Sequence, residues 1–167
     1  DDLYGGRIQT LASNAFNIAA AVKEADLLVG SVLIPGALTP KLVTEAMVKT
    51  MKKGSAIVDV AIDQGGCIEV TAKHGATYHD NPTFMYEGIV CYSVGNMPGA
   101  VARTSTFTLT NATMPYMIDL ANKGWKKACQ DDKALARGIN TYDGKVYFKG
   151  VSDALGYELH CTCDILK

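Results

Sequence analysis

Residues 27–62 read LLVGSVLIPGALTPKLVTEAMVKTMKKGSAIVDVAI, and this stretch decides the fold. It opens on a continuous apolar run, LLVGSVL at 27–33, and closes on a second, AIVDVAI at 56–62, broken only by the charge of Asp59. Such short continuous runs suit strands buried on both faces. Pro35 and Gly36 break the first run. Leu42, Val43, Ala46, Met47 and Met51 then recur at helical spacing, with Thr39 as the expected cap and Pro40 in the first turn. Lys49, Lys52 and Lys53 load the last turns, and Gly54 stops the helix. About two dozen residues holding one helix is the length of a βαβ crossover, which forces the two strands parallel.

Working back from this unit, residues 17–25 read as an alanine-rich helix with Asn14 or Asn17 as its cap, and residues 7–11 as a short, weaker strand. Working forward, residues 64–87 read as a loop and IVCYSV at 89–94 as the next strand. A long helix is expected over 104–122, kinked at Pro115 and closed by Gly124. Phe107, Leu109, Met114, Met117 and Ile118 read as its core-facing set. A short helix over 131–137 and a hairpin over 140–148 around Asp143-Gly144, a type I′ turn signal, complete the pattern. Residues beyond 155 are weakly patterned. The expected class is α/β: a Rossmann-like, mostly parallel sheet, incomplete at its N-terminal side, followed by a helical C-terminal segment.

The totals agree with one globular unit. The 167 residues are 48% apolar and 20% charged, with a formal net charge of −1. Disorder is not expected from that composition. The charge balance leaves no electrostatic footprint for nucleic acid or anionic membrane. No apolar run approaches the ~20 residues that cross a bilayer. Five scattered cysteines are an odd number and suit a reducing cytoplasm better than a disulfide framework. Cys161 and Cys163 could bind metal or form a labile redox pair, with spare thiols in a frayed tail as the plainer reading. The three histidines make no pair at metal-ligand spacing, so no metal site is expected.

Ligands of an open parallel sheet sit beyond the carboxyl ends of its strands. Those ends here are Ser31-Val32-Leu33-Ile34-Pro35-Gly36, Ile62-Asp63-Gln64-Gly65-Gly66 and Val94-Gly95-Asn96-Met97-Pro98-Gly99. Each carries glycine, where backbone approaches a ligand closely. Asp63 is the sharpest candidate: beside a cofactor, its carboxylate could hold a ribose hydroxyl, orient water or shuttle a proton, or it could simply form the turn. Asp59 falls inside the strand on the side of Ala61 and Asp63, where burial demands partners, and reads as structural. The Asn96 amide can both donate and accept, as a nicotinamide carboxamide or a ribose hydroxyl requires, or can serve as a turn residue. Ser13 follows the weak strand and could bond an adenosine ribose or cap the next helix. The chain holds no G-x-G-x-x-G, Walker A, zinc motif or nucleophile elbow.

Residues 32–69 (VLIPGALTPKLVTEAMVKTMKKGSAIVDVAIDQGGCIE) and 94–146 (VGNMPGAVARTSTFTLTNATMPYMIDLANKGWKKACQDDKALARGINTYDGKV) closely resemble alanine dehydrogenases. The resemblance spans nearly the whole chain and fades after about Tyr157. Transhydrogenase domains share the fold, but the DQGGC run at 63–67 looks like the dehydrogenase version. The resemblance implies NAD-dependent oxidation of L-alanine, with hydrolysis of the imine to pyruvate and ammonia, and the reverse amination. It implies Asp63 as catalytic aspartate near the nicotinamide ribose and substrate. It implies Val60, Ala61 and Ile62 as a strand end lining NAD, Val32 and Leu33 on its adenine side, and Ser13 as a cofactor contact. Val94, Gly95, Asn96 and Met97 match the nicotinamide-side loop, where the family usually has Ala rather than Gly95.

The implied division is a partial NAD-binding domain over 1–102, then a connecting helix and the C-terminal part of a substrate domain over 103–167. The implied assembly is a homo-hexamer. Two departures stand out. The loop between Cys67 and Pro82 looks a few residues longer than usual, and the arginine often carried there appears as Ala72 with Lys73 beside it. The family chain is also roughly twice as long. Its first half supplies a substrate-binding arginine, a lysine, a histidine and the Gly-rich phosphate loop, so this chain alone is expected to be inactive and to expose an unpaired apolar sheet edge. Two other readings share parts of the pattern: a D-2-hydroxyacid dehydrogenase relative, and a non-catalytic nucleotide-binding or assembly module.

Overall fold

The computed structural model describes residues 2–34 and 38–167, so the Pro35-Gly36 break lies outside the described residues. The chain forms two compact units that divide after Ala100. The first holds helix α1 (Ala15–Glu24), strand β1 (Leu27–Gly30), helix α2 (Glu45–Val48), strand β2 (Ala56–Asp59), helix α3 (Glu69–His74) and strands β3 (Thr83–Tyr86) and β4 (Ile89–Tyr92). The sheet order is β1-β2-β4-β3. β1 pairs parallel with β2 from Leu27 opposite Ala56, and β2 pairs parallel with β4 from Ala56 opposite Val90. The parallel-dominated α/β sheet, a Rossmann-type arrangement, therefore stands as expected.

Local chemistry fixes the start of α1. The Asn14 side chain accepts from the Asn17 amide at 2.8 Å, satisfying one of the free N–H groups of the first turn. The helix buries Val22 in a core shared with Val48 of α2, Val70 of α3, Ile57 of β2, and Ile89 and Cys91 of β4. All three helices thus serve one face of the sheet. The other face is less covered: Leu27 and Val29 of β1 are 59% and 53% exposed. The expectation of strands buried on both faces is corrected accordingly, and β1 forms an apolar edge that pairs on one side only.

Four further expectations are corrected. Residues 7–11 form no strand and Ile8 and Leu11 are exposed, because no neighbouring strand receives their backbone groups. The helix expected from Pro40 shrinks to α2, capped by Thr44 rather than Thr39. Leu42 N–H donates to Cys67 carbonyl at 2.9 Å and Glu69 N–H to Val43 carbonyl at 2.9 Å, so tertiary pairing takes the backbone groups that a longer helix would use. The second strand stops at Asp59, and Val60–Gln64 winds into a short 3₁₀ helix. The region read as one loop contains α3 and β3, the latter antiparallel to β4 with Glu87 and Gly88 at positive φ in the turn.

The second unit begins with α4 (Ala102–Asp131), followed by α5 (Lys133–Ala136), a hairpin of β5 (Thr141–Tyr142) and β6 (Lys145–Val146), and α6 (Lys149–Leu155). Inside α4 the break falls at Gly124 (φ 73°, ψ 158°), not at Pro115, whose dihedrals stay helical. Glycine alone adopts that conformation readily. The buried residues of α4 are Ala128 and Cys129. Phe107, Leu109, Met114, Met117 and Ile118 are instead exposed, because the first turns of α4 have no packing layer within this unit. Asp132 caps α5, accepting from Ala134 N–H at 2.7 Å. Asp143 and Gly144 both have positive φ, the type I′ turn expected from the sequence. Cys161 and Cys163 form a disulfide, in place of the spare thiols expected.

Candidate functional site

The site is built on the 3₁₀ turn after β2. Asp59 ends the strand fully buried, and its carboxylate gathers five donors: Ala61 N–H at 3.1 Å, Cys67 N–H at 3.1 Å, Ile68 N–H at 3.3 Å, the Thr71 hydroxyl at 2.6 Å and the Cys67 thiol at 3.6 Å. A buried carboxylate needs such partners. Residues 61–71 therefore wrap around it, the structural role expected for Asp59. Gly66 closes over this group (φ 73°): a Cβ there would lie 2.8 Å from Asp59 Oδ2.

The far end of the turn is pinned as well. The Gln64 carbonyl accepts from both Thr39 N–H and Thr39 hydroxyl at 3.1 Å. The Lys41 ammonium donates to the carbonyls of Gly65 and Gly66 at 2.5 and 2.6 Å. Because β2 stops at Asp59, strand alternation stops with it. Asp59 points into the core and Asp63 is exposed, so the two do not share a side as expected.

Ser31, Val32 and Leu33, beyond β1, face Val60, Ala61, Asp63 and Gln64 across a cavity of about 300 Å³. Five of the residues singled out from sequence thus meet: Val32, Leu33, Val60, Ala61 and Asp63. The third strand tip also approaches, since a Cβ on Gly95 would stand 3.4 Å from Asp63 Oδ1. Val94 is fully buried, bridged to Thr77. Asn96 takes φ 57°, and its amide lies beside Gly99, where a Cβ would come within 3.2 Å of Nδ2. Met97 opens the next 3₁₀ helix, Met97–Val101. Val94, Gly95, Asn96 and Met97 fall outside the lining, and so do two further candidates. Ile62 is buried toward Gly66, and Ser13 is exposed ahead of α1.

Sequence reasoning passed over Ser31, Gln64 and Lys41. Among the described residues, Gln64 Oε1 is the one buried side-chain oxygen or nitrogen without a hydrogen-bond partner. Nothing in the sequence marks it beyond its place after Asp63 at a strand tip. Lys73, beside the position of the family's arginine, is engaged elsewhere: its ammonium pairs with Glu45 at 2.7 Å. Lys73, Tyr86 at 2.6 Å and Lys49 at 2.9 Å together pull the Glu45 carboxyl down to about 2. Cys67 and Cys91 are no nucleophiles, since burial pushes both thiols up, Cys91 to about 11.

The cavity presents apolar walls from Val32, Leu33, Val60 and Ala61, the exposed Asp63 carboxylate as an acceptor, and the polar side chains of Ser31 and Gln64. No lysine or arginine is in its lining. Such a surface takes a partly apolar molecule bearing neutral O–H or N–H donors. No helix among the described residues is long and apolar enough to cross a membrane.

Comparison with known proteins adds four findings. A family model described as "Alanine dehydrogenase/PNT, C-terminal domain" matches residues 1–149. An alanine dehydrogenase of Bilophila wadsworthia (strain 3_1_6) is 91% identical over 171 residues, covering 100% of this chain and 45% of its own length. One from Methanococcus maripaludis is 58% identical over 154 residues, covering 92% and 41%. A solved L-alanine dehydrogenase structure superimposes with a TM-score of 0.77 at 46% identity, covering 93% of this chain and 42% of that one. The chain spans less than half the length of these relatives.

Proposed function

The chain belongs to the alanine dehydrogenase/PNT C-terminal domain family, and from that premise we propose that it carries the Asp63 side of the NAD site of an enzyme converting L-alanine reversibly to pyruvate and ammonia. The first unit is read as part of the NAD-binding domain. The second is read as the connecting helix and part of the substrate domain, with the domain boundary at 102/103. The complete enzyme is read as a cytoplasmic homo-hexamer.

One observation carries the reading: an exposed carboxylate, Asp63, stands where three strand tips converge, above a turn pinned at both ends. The residues present fit a dinucleotide. The orphaned Gln64 oxygen wants a donor, and the missing Cβ of Gly95 leaves room beside Asp63. Bound there, NAD supplies the hydride acceptor for oxidation and, when reduced, the donor for the reverse reaction. Val32, Leu33, Val60 and Ala61 would hold its apolar surfaces and exclude water. Asp63 would accept a hydrogen bond from the cofactor ribose and hold or move a proton at its carboxylate beside the substrate. Val94, Gly95, Asn96 and Met97 are assigned to the nicotinamide side. Ile62 and Ser13 are kept as cofactor contacts on the family resemblance alone. The substrate clamps belong to residues outside this chain in the longer relatives.

The test exchanges the matching segment of the full-length Bilophila wadsworthia relative for this chain and follows alanine-dependent NADH formation. The chimera should turn over close to its parent. Asp63→Asn should slow it by about 10²–10⁴-fold, the usual worth of a positioned proton-transfer group, and weaken NAD binding far less, because the asparagine oxygen still accepts from the ribose. A folded hexamer with no alanine-dependent NADH, or an Asp63→Asn enzyme at full rate, would overturn the proposal.

A further inference from the structure

We infer that Gln64 is a cofactor contact in its own right: its side-chain oxygen accepts a hydrogen bond from a ribose hydroxyl, alongside Asp63 as the second acceptor of a two-point clamp for a cis-diol. The inference rests on the NAD reading above.

The first support is the orphaned atom. Gln64 Oε1 is buried and has no partner among the described residues. Buried polar atoms in folded proteins are almost always satisfied, and the exceptions call for an explanation such as a ligand. The second support is that this atom is not loosely held. The Gln64 carbonyl takes two hydrogen bonds from Thr39, and the next two carbonyls take the Lys41 ammonium. The turn is further locked by Ala61 N–H on Asp59. The root of the Gln64 side chain is therefore fixed, and the residue lines a cavity of about 300 Å³.

The third support is the character of the lining. Val32, Leu33, Val60 and Ala61 offer no side-chain donors, Ser31 offers a neutral hydroxyl, and Asp63 is an acceptor. Lys41 is committed to the Gly65 and Gly66 carbonyls. A phosphate or carboxylate would meet the Asp63 carboxylate and no cation there. A ribose edge does the reverse, since its two neighbouring hydroxyls donate to acceptors on consecutive residues. The enclosed Gln64 oxygen meets such a hydroxyl by a turn of its side chain, while the backbone stays pinned by Thr39.

The experiment uses the full-length chimera described above. Isothermal titration measures binding of NAD, and of two NAD analogues each lacking the 2′-hydroxyl on one ribose, to the parent and to Gln64→Met. Methionine keeps the length and flexibility of the side chain but removes the acceptor. The expected result is an about tenfold weaker NAD complex in Gln64→Met, the size of one lost hydrogen bond. One analogue should bind both proteins equally, because the hydroxyl that Gln64 reads is already gone. Thermal unfolding without ligand should give Gln64→Met a midpoint equal to or above the parent, since an unsatisfied buried oxygen has been removed.

Equal NAD affinity in both proteins, or an equal loss for NAD and both analogues, overturns the Gln64 assignment. So does a ligand-free Gln64→Met protein that melts well below the parent, since that marks a structural role. A parent chimera that binds no NAD sinks the functional reading itself, which keeps the two failures distinct.

Discussion

Asp59→Asn tests the reasoning most directly, because the substitution keeps the shape and changes only what the side chain can accept. Asp59 Oδ2 takes Cys67 N–H, Ile68 N–H and the Thr71 hydroxyl, while Oδ1 takes Ala61 N–H and, more weakly, the Cys67 thiol. An asparagine has one oxygen. Its better orientation keeps that oxygen at the Oδ2 position and turns the NH₂ toward Ala61 N–H, so two donors face each other in a fully buried setting. One hydrogen bond to a charged group, worth about 1.5–3 kcal/mol, is lost, and the buried Ala61 N–H is left unpaired at about 1–3 kcal/mol. These overlap, so a net loss of about 3 kcal/mol is expected, a large fraction of the ~5–15 kcal/mol stability of a typical domain. Urea unfolding of the full-length chimera and of its Asp59→Asn form measures it as a shift in midpoint at unchanged slope. Because the Ala61 contact shapes the turn that presents Asp63 and Gln64, NAD affinity should fall too, although Asp59 does not line the cavity. A stability loss below about 1 kcal/mol, outside the range for a buried charged hydrogen bond, would refute the account of Asp59 as organiser of the turn.

Two further substitutions test other parts of the fold. Glu45 has a folded-state pKa of about 2, below its ordinary 4.5, so its ion pairs and hydrogen bonds stabilise fully above that ordinary value and are lost as pH falls toward 2. Glu45→Gln should therefore flatten the acid limb of stability between those values, read from denaturant midpoints across pH; an unchanged limb would count against the Lys73–Glu45–Lys49 cluster. Gly124→Ala places a side chain at φ 73°, ψ 158° and should cost about 1–3 kcal/mol, measured by thermal unfolding; a neutral result would mean that the helix runs through unbroken.

What could be read from sequence was what local chemistry decides. The Asn14 cap and the Asp143-Gly144 turn depend on neighbours within a few residues, and the parallel pair of 27–30 with 56–59 on the length of the crossover between two apolar runs. Misreadings arose where distant backbone intervened. The pattern from Leu42 to Met51 is helical in period, yet Leu42 and Val43 give their amides to Cys67. β3 was hidden because its turn is Glu87-Gly88, a weaker hairpin signal than Asn-Gly or Asp-Gly. Asp63 was legible because strand tips are where open sheets bind ligands. Gln64 was not, because only three-dimensional packing decides that an amide oxygen ends up enclosed without a donor.

The Asp59 cage has one more consequence. The amide protons of Ala61, Cys67 and Ile68 all end on a single carboxylate, and Ala61 itself lines the candidate cavity. They open to solvent only when the floor of that cavity lifts away from the interior. Their hydrogen-exchange rates are thus a built-in gauge of occupancy. A molecule that grips the turn from above should slow these three sites together, and the degree of slowing reports its affinity without any label on the protein.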